Sequence, residues 1–388
     1  MNARYERLRW RTFGVTWLVY AVFYFTRNAW SAAKVALGED PRLQLKRSDY
    51  GLVDSAQLGA YMAGQFIFGP LGDRFGPRKV LLGGMAFSVW AAVACGFSTT
   101  LLAFVSLAVV QGLAQSTGWS NTTKTVSNWF SLHERGRVFG WWCSTYAVGA
   151  AAAGAFGGWI MNVYARPATA GTSASAPAPY WPASFWGAAA ALGVVAAIAW
   201  LLLRDKPEDV GLPPIEVYHG EAQQPVASGG AAMDEPSNSW AVISSVIRSP
   251  SIWLLGLAYF SIKFTRYAFA CWGPMYVADM AGGDAFSSNL TAAVLPIGGV
   301  LGVVACGFVS DQWFNARRPP VAIMSLLITA ALMLLGLAKF DNIWLTAAFL
   351  FAIGFFLYGP DAIISATAAI DFGTKRGAGT AIRAGSEG

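Results

Sequence analysis

The chain has 388 residues, of which 55% are hydrophobic and 12% charged, and its mean hydropathy is +0.45. That balance excludes a soluble globular protein. The formal net charge of +6 is not a nucleic-acid signal, because the cations sort to one side of the predicted membrane segments.

Ten apolar runs near the ~20 residues a bilayer requires follow one another along the chain. The first six are Thr12–Leu37, Asp49–Leu71, Val80–Ser98, Leu101–Ser120, Val138–Val163 and Trp181–Leu203. The other four are Ser251–Val277, Asn289–Val309, Pro320–Ala338 and Ile343–Ala369. The basic stretch Arg4–Arg11 fits a signal peptide, but the run behind it is too long for one and contains Arg27. With the N-terminus in the cytoplasm, the outer loops hold five cations (Arg42, Lys46, Arg47, Arg166, Lys339), and the inner segments hold most of the rest. That asymmetry sets the orientation. Cys95, Cys143, Cys271 and Cys306 all fall within predicted spans, so no disulfide is expected. His133 and His219, both in predicted cytoplasmic loops, cannot assemble a metal site. No cofactor is expected.

Arg204–Pro250 is polar and rich in Pro, Gly, Ser and acidic residues, and reads as a linker. The chain divides into a six-helix half (1–203), a cytoplasmic linker (204–250) and a second half (251–388). The halves are copies. Tyr20-Ala-Val-Phe-Tyr-Phe-Thr-Arg27-Asn-Ala-Trp30 returns 239 residues later as Tyr259-Phe-Ser-Ile-Lys-Phe-Thr-Arg266-Tyr-Ala-Phe269. Arg27 precedes Asp73 by 46 residues and Arg266 precedes Asp311 by 45. Gly118 and Gly136 have the same offset of 18 residues as Gly359 and Gly377. Such regular spacing indicates duplication. Counted against the first copy, the second stops after four spans, so helices eleven and twelve are expected to be missing.

Both arginines lie about 22 Å into their spans at 1.5 Å per residue, within a hydrocarbon core of roughly 30 Å. Intramembrane charge is a functional signal by default. A guanidinium fork holds phosphate or carboxylate bidentately, and two forks across a pseudo-two-fold axis suit a doubly charged phosphoryl group. Tyr20 and Tyr259 precede their arginines by seven residues, two turns, and share their faces. Lys263 lies one turn before Arg266. These five residues are the candidate substrate ligands. Lys34 and Asp54 should sit at similar depth and are a candidate outer-gate pair. Asp361, an acid inside the tenth span, is a candidate for proton coupling or for pairing with a basic site residue.

Gly69-Pro-Leu-Gly-Asp73-Arg74-Phe-Gly-Pro-Arg78-Lys79, echoed by Gly307-Phe-Val-Ser-Asp311-Gln, resembles the loop signature of the major facilitator superfamily. There Asp73, Arg74 and Asp311 are expected to latch an inner gate through charge-assisted bonds. Tyr24-Phe-Thr-Arg27, Gln115-Ser-Thr-Gly-Trp119, Asn128-Trp-Phe-Ser-x-x-Glu134-Arg-Gly136, Lys206-Pro-Glu-Asp-Val-Gly211 and Tyr358-Gly-Pro360 resemble the organophosphate:phosphate antiporter family. The resemblance implies an all-α membrane protein with the major facilitator fold, here with ten helices (six plus four) instead of twelve. It also implies exchange of glycerol-3-phosphate or a sugar phosphate for inorganic phosphate by alternating access, with the two arginines as phosphate ligands. The sequence departs from that pattern at Asn28, Gln65 and Tyr146, where bacterial members carry lysine, lysine and histidine. Gln65 and Tyr146 therefore become candidates for contacts to the organic part of the ester. A monomer in a bacterial inner membrane is expected.

Three other readings fit the same residues: a membrane sensor of sugar phosphates, a proton-coupled organic-anion symporter using Asp361, and a non-functional remnant. No nucleophile–base pair or phosphate-cradling loop supports an enzyme.

Overall fold

A computed structural model describes residues 3–165, 180–218, 250–313, 318–336 and 341–361. Among them every regular element is helical. The first half comprises α1 (Ala3–Gly38), α2 (Arg47–Phe75), α3 (Pro77–Phe97), α4 (Leu101–Trp129), α5 (Leu132–Trp142), α6 (Ser144–Val163) and α7 (Pro182–Leu202). The second comprises α8 (Pro250–Ala281), α9 (Ala285–Ala292), α10 (Val294–Trp313), α11 (Arg318–Leu335) and α12 (Ile343–Asp361). Helices α5 and α6 are one rod broken at Cys143, and α9 and α10 one rod broken at Ala293. So paired, the helices match the ten expected spans one for one; the end of the tenth, beyond Asp361, lies outside the described residues.

Among the described residues, five segments are long and apolar enough to cross a bilayer by length and composition: Pro77–Phe97, Leu101–Trp129, Pro182–Leu202, Ala285–Val309 and Ile343–Asp361. Helices α1 and α8 are longer, at 36 and 32 residues, but they carry the candidate site cations.

Capping and glycine chemistry explain the helix ends and seams. Thr100 caps α4 by accepting from the Ala103 N–H, and Asp284 caps α9 by accepting from Ser287. Gly76 alone separates α2 from α3, at φ +90° in the region that favours glycine, and Pro77 opens α3. Helix α2 packs along α4, where a Cβ on Gly112 would collide with the Gln57 carbonyl oxygen. The repeat-equivalent pair, α10 and α12, meets the same way: a Cβ on Gly354 of α12 would strike the Leu295 carbonyl oxygen of α10. Small residues let apolar helices approach this closely in a membrane. The duplication read from spacing is thus visible as one packing device used twice.

Helices α1 and α6 of the first half face α8, α9 and α10 of the second. The described hydrogen bonds and ion pairs that join the halves cluster where α1 ends at Gly38. Asn289 Nδ2 donates to the Ala32 carbonyl (2.9 Å), and Ser31 Oγ is 2.8 Å from the carbonyls of Ala270 and Cys271. Arg47, at the start of α2, grips Asp279 near the end of α8 through two bonds of 2.8 and 2.7 Å.

The expected linker begins as structure. Pro207–Val210 and the turn Ile215–Tyr218 fold back on α1, where Tyr218 stacks on Tyr5 at 4.0 Å. Residues 219–249 lie outside the described set. Asp205, just beyond α7, serves α3. Its Oδ1 accepts from the Arg78 backbone N–H at 2.7 Å, and its Oδ2 would lie 2.9 Å from a Cβ on Gly76. Burial raises the Asp205 carboxyl pKa above its ordinary value, against the lowering effect of the Arg78 bond. Because Gly76 has no side chain to cap α3, Asp205→Ala is expected to lower stability by about 1 kcal/mol. Melting of the purified protein measures this; an unchanged midpoint would assign Asp205 no capping role.

Candidate anion-binding site

Arg27 projects from α1 into a polar and aromatic setting. Its Nε donates to Gln115 Oε1 at 3.3 Å, and its guanidinium lies 4.7 Å from the Tyr24 ring and 5.0 Å from Tyr61. Its Nη2 is buried without a hydrogen-bond partner, and no carboxylate pairs with it among the described residues. A buried polar donor left unpaired costs on the order of 1–3 kcal/mol, and more when charged. Such an atom marks either strain or the place of an absent ligand.

Gln115 is held rigidly. Its Nε2 is within 2.8 Å of Thr26, 3.1 Å of Ser88 and 3.1 Å of the Phe23 carbonyl; Thr26 and Ser88 are themselves 2.9 Å apart. The network fixes the amide so that its oxygen faces Arg27. This fits a preorganised site, in which supporting polar groups are themselves satisfied.

Arg266 projects from α8 and is charge-paired. Its Nη1 donates to Asp361 Oδ2 at 2.6 Å, and Lys263 Nζ lies 2.8 Å from Asp361 Oδ1. The guanidinium also lies 4.3 Å from the Tyr358 ring and 5.0 Å from Tyr146, which reaches it from the other half. Tyr24 and Tyr267 each interact electrostatically with both Arg27 and Arg266. Both arginines are thus within electrostatic range of the same two tyrosines.

The remaining expected residues divide. Tyr259 lies under Lys263, 4.9 Å from ring to ammonium. Gln65 is half-buried on α2, one turn beyond Tyr61 on the same face. Tyr20 is buried in an aromatic cluster with Trp119, Trp142 and Tyr24. Seven residues from Arg27 is close enough to share a face and too far to share a contact. Tyr24, one turn from Arg27, is the ring the guanidinium meets.

Lys34 and Asp54 pair at 2.5 Å in a fully buried position, and Lys34 Nζ also donates to the Cys271 carbonyl at 2.7 Å. Asp73 pairs with Lys124 of α4, inside the same half, and Arg74 lies exposed beside Phe75. The inner latch expected of them joins no second-half residue among the described ones. The side chain of Asp311 lies outside the described set.

Sequence reasoning missed Gln115, Tyr24, Tyr61 and Tyr358 as neighbours of the arginines, and the Arg47–Asp279 clasp between halves. Gln115 had a signal, a polar residue inside an apolar span. The clasp had none, since its partners lie 232 residues apart.

Two related sets of helices with a buried group of cations between them are the architecture of the major facilitator fold. Residues 16–386 match the Major Facilitator Superfamily model, and the chain belongs to that family, in the company of its organophosphate:phosphate antiporters. The membrane sensor protein UhpC of Escherichia coli is 31% identical over 98% of this chain and 82% of its own. The glycerol-3-phosphate transporter of Bacillus subtilis is 28% identical with the same coverage. A probable hexose phosphate transport protein of Chlamydia trachomatis is also 28% identical over 98% of this chain and 82% of its own. A solved bacterial homologue of the lysosomal transporter Spinster, inward-facing and unoccupied, superposes with a TM-score of 0.70 at 16% identity. It covers 94% of this chain and 76% of its own, and likens the fold alone. The chain is a transporter-family protein and not an enzyme.

Proposed function

We propose that this protein exchanges a phosphate ester, glycerol-3-phosphate or a sugar phosphate, for inorganic phosphate across a bacterial inner membrane. The observation that carries this reading is the unpartnered, buried Nη2 of Arg27; that Tyr24 is in electrostatic range of both arginines supports a site common to the two. A phosphoryl group supplies three acceptor oxygens and up to two charges, which suits that donor and the second fork. In this reading Gln65 and Tyr146 meet the organic part, and the position of Tyr146 beside Arg266 supports its share. Tyr259 and Tyr20 act as the walls behind them.

With the N-terminus in the cytoplasm, the end where Arg47, Lys34 and Asn289 join the halves is the outer one. The arrangement then opens inward. Lys34–Asp54 and Arg47–Asp279 serve as the outer gate, and Asp73, Arg74 and Asp311 belong to the inner one. The protein works as a monomer in this reading, each half rocking about the site.

A sensor of sugar phosphates is the second reading, favoured by the 31% identity to a relative named as a membrane sensor. Reconstitution separates the two. Liposomes loaded with inorganic phosphate are expected to take up labelled glycerol-3-phosphate or glucose-6-phosphate, and unloaded liposomes not to. Binding without uptake would support the sensor. Uptake driven by a pH gradient without internal phosphate would overturn antiport.

A further inference from the structure

The repeat makes Arg27 and Arg266 equivalent by descent, yet the structure treats them differently. Arg27 has a buried nitrogen with nothing to bond. Arg266 already donates to a carboxylate at 2.6 Å, and that carboxylate is 94% buried at the end of α12, with Lys263 2.8 Å away. Across the repeat, Asp361 corresponds to Ser120, so the first half carries no such acid. One half of the site therefore presents an unpaired donor while the other pairs with an internal carboxylate.

We infer that Asp361 is an internal anion that occupies the Arg266 half of the site, and that an arriving phosphoryl group takes Arg266 from it while Lys263 retains the carboxylate. Three physical points support this. A carboxylate and a phosphoryl oxygen compete for the same planar fork. A second buried arginine with no anion would be costly in the empty protein, and Asp361 removes that cost. Lys263 contacts both carboxylate oxygens, at 2.8 and 3.0 Å, so Asp361 keeps a cationic partner when Arg266 lets go. Lys263 is then a positioning residue that acts through Asp361.

This inference rests on the phosphate reading, and one binding experiment separates the two. Affinity for radiolabelled inorganic phosphate is measured by equilibrium dialysis on the purified full chain in detergent. Asp361→Asn is expected to bind phosphate about tenfold tighter than the unsubstituted protein, because Arg266 is no longer taken. Asp361→Glu, which keeps the competitor, is expected to bind as the unsubstituted protein does. Lys263→Met is expected to weaken binding several-fold, and to have little effect once Asp361→Asn is also present. Phosphate binding that depends on Arg27 but is unchanged or weaker in Asp361→Asn would overturn the inference alone. Equal loss from Lys263→Met with and without Asp361→Asn would do the same, making Lys263 a direct ligand. No phosphate binding by the unsubstituted protein or by folded Asp361→Asn would overturn the phosphate reading and the inference with it.

Discussion

Arg27→Lys is expected to lower phosphate exchange on the order of 100-fold, about 3 kcal/mol of lost interaction. The substitution keeps the charge, so the loss isolates the planar fork and its contacts. Lysine at this position forfeits the stacking on Tyr24 and Tyr61 and the bond to Gln115. It also removes the spare nitrogen that has no internal partner. Arg266→Lys is expected to reduce exchange as severely but phosphate affinity less, because Asp361 already occupies Arg266. Exchange rates in proteoliposomes read the first effect and equilibrium binding the second. Near-normal exchange by Arg27→Lys would remove Arg27 from the site, whatever else binds there.

Asp54→Asn is expected to disturb the closed end of the bundle. Lys34 is fully buried and pairs with Asp54 at 2.5 Å. Breaking one side of a buried pair costs roughly 3–5 kcal/mol, because the other charge is stranded. Lys34 also donates to the Cys271 carbonyl of the second half at 2.7 Å and lies 4.3 Å from the Trp272 ring. The penalty therefore falls on the arrangement in which the halves touch, and the protein can escape it by opening. Reaction of the Cys271 thiol with a membrane-impermeant maleimide reports that opening, and is expected to rise about tenfold. Exchanging the two residues, Lys34→Asp with Asp54→Lys, rebuilds the pair without the bond to the Cys271 carbonyl, and is expected to restore slow labelling in part. Unchanged labelling in Asp54→Asn, or no restoration by the exchange, would show that the pair does not hold this end shut.

The helical architecture was legible because its cause is local. Apolar runs long enough for a bilayer leave the backbone no alternative to a helix, and the repeat supplied its own alignment. Lys34 and Asp54 were found because their depth follows from counting residues along two spans. The pairing of Asp361 with Arg266 was open as one of two options, since an acid in a span needs either a proton or a cation. What sequence could not supply was rotation about the helix axes. Tyr20 and Tyr24 lie in the same repeated motif, and only packing of α1 against α4 and α6 decides which ring meets Arg27. Gln115, Tyr61 and Tyr358 reach the arginines from other helices, across contacts that no periodicity encodes. Asp205 was hidden in a segment that read as a linker, though it caps a helix 127 residues earlier.

The central claim is that one phosphoryl group is gripped by both arginines. Tungstate, a heavy oxyanion of phosphate-like charge and geometry, offers the most direct measurement through anomalous diffraction from crystals of the purified protein. A single tungsten peak between the guanidinium groups of Arg27 and Arg266, with Asp361 withdrawn to Lys263, is the expected result. A peak away from Arg27, or one beside Arg27 with Arg266 still bound to Asp361, would contradict a site shared between the halves.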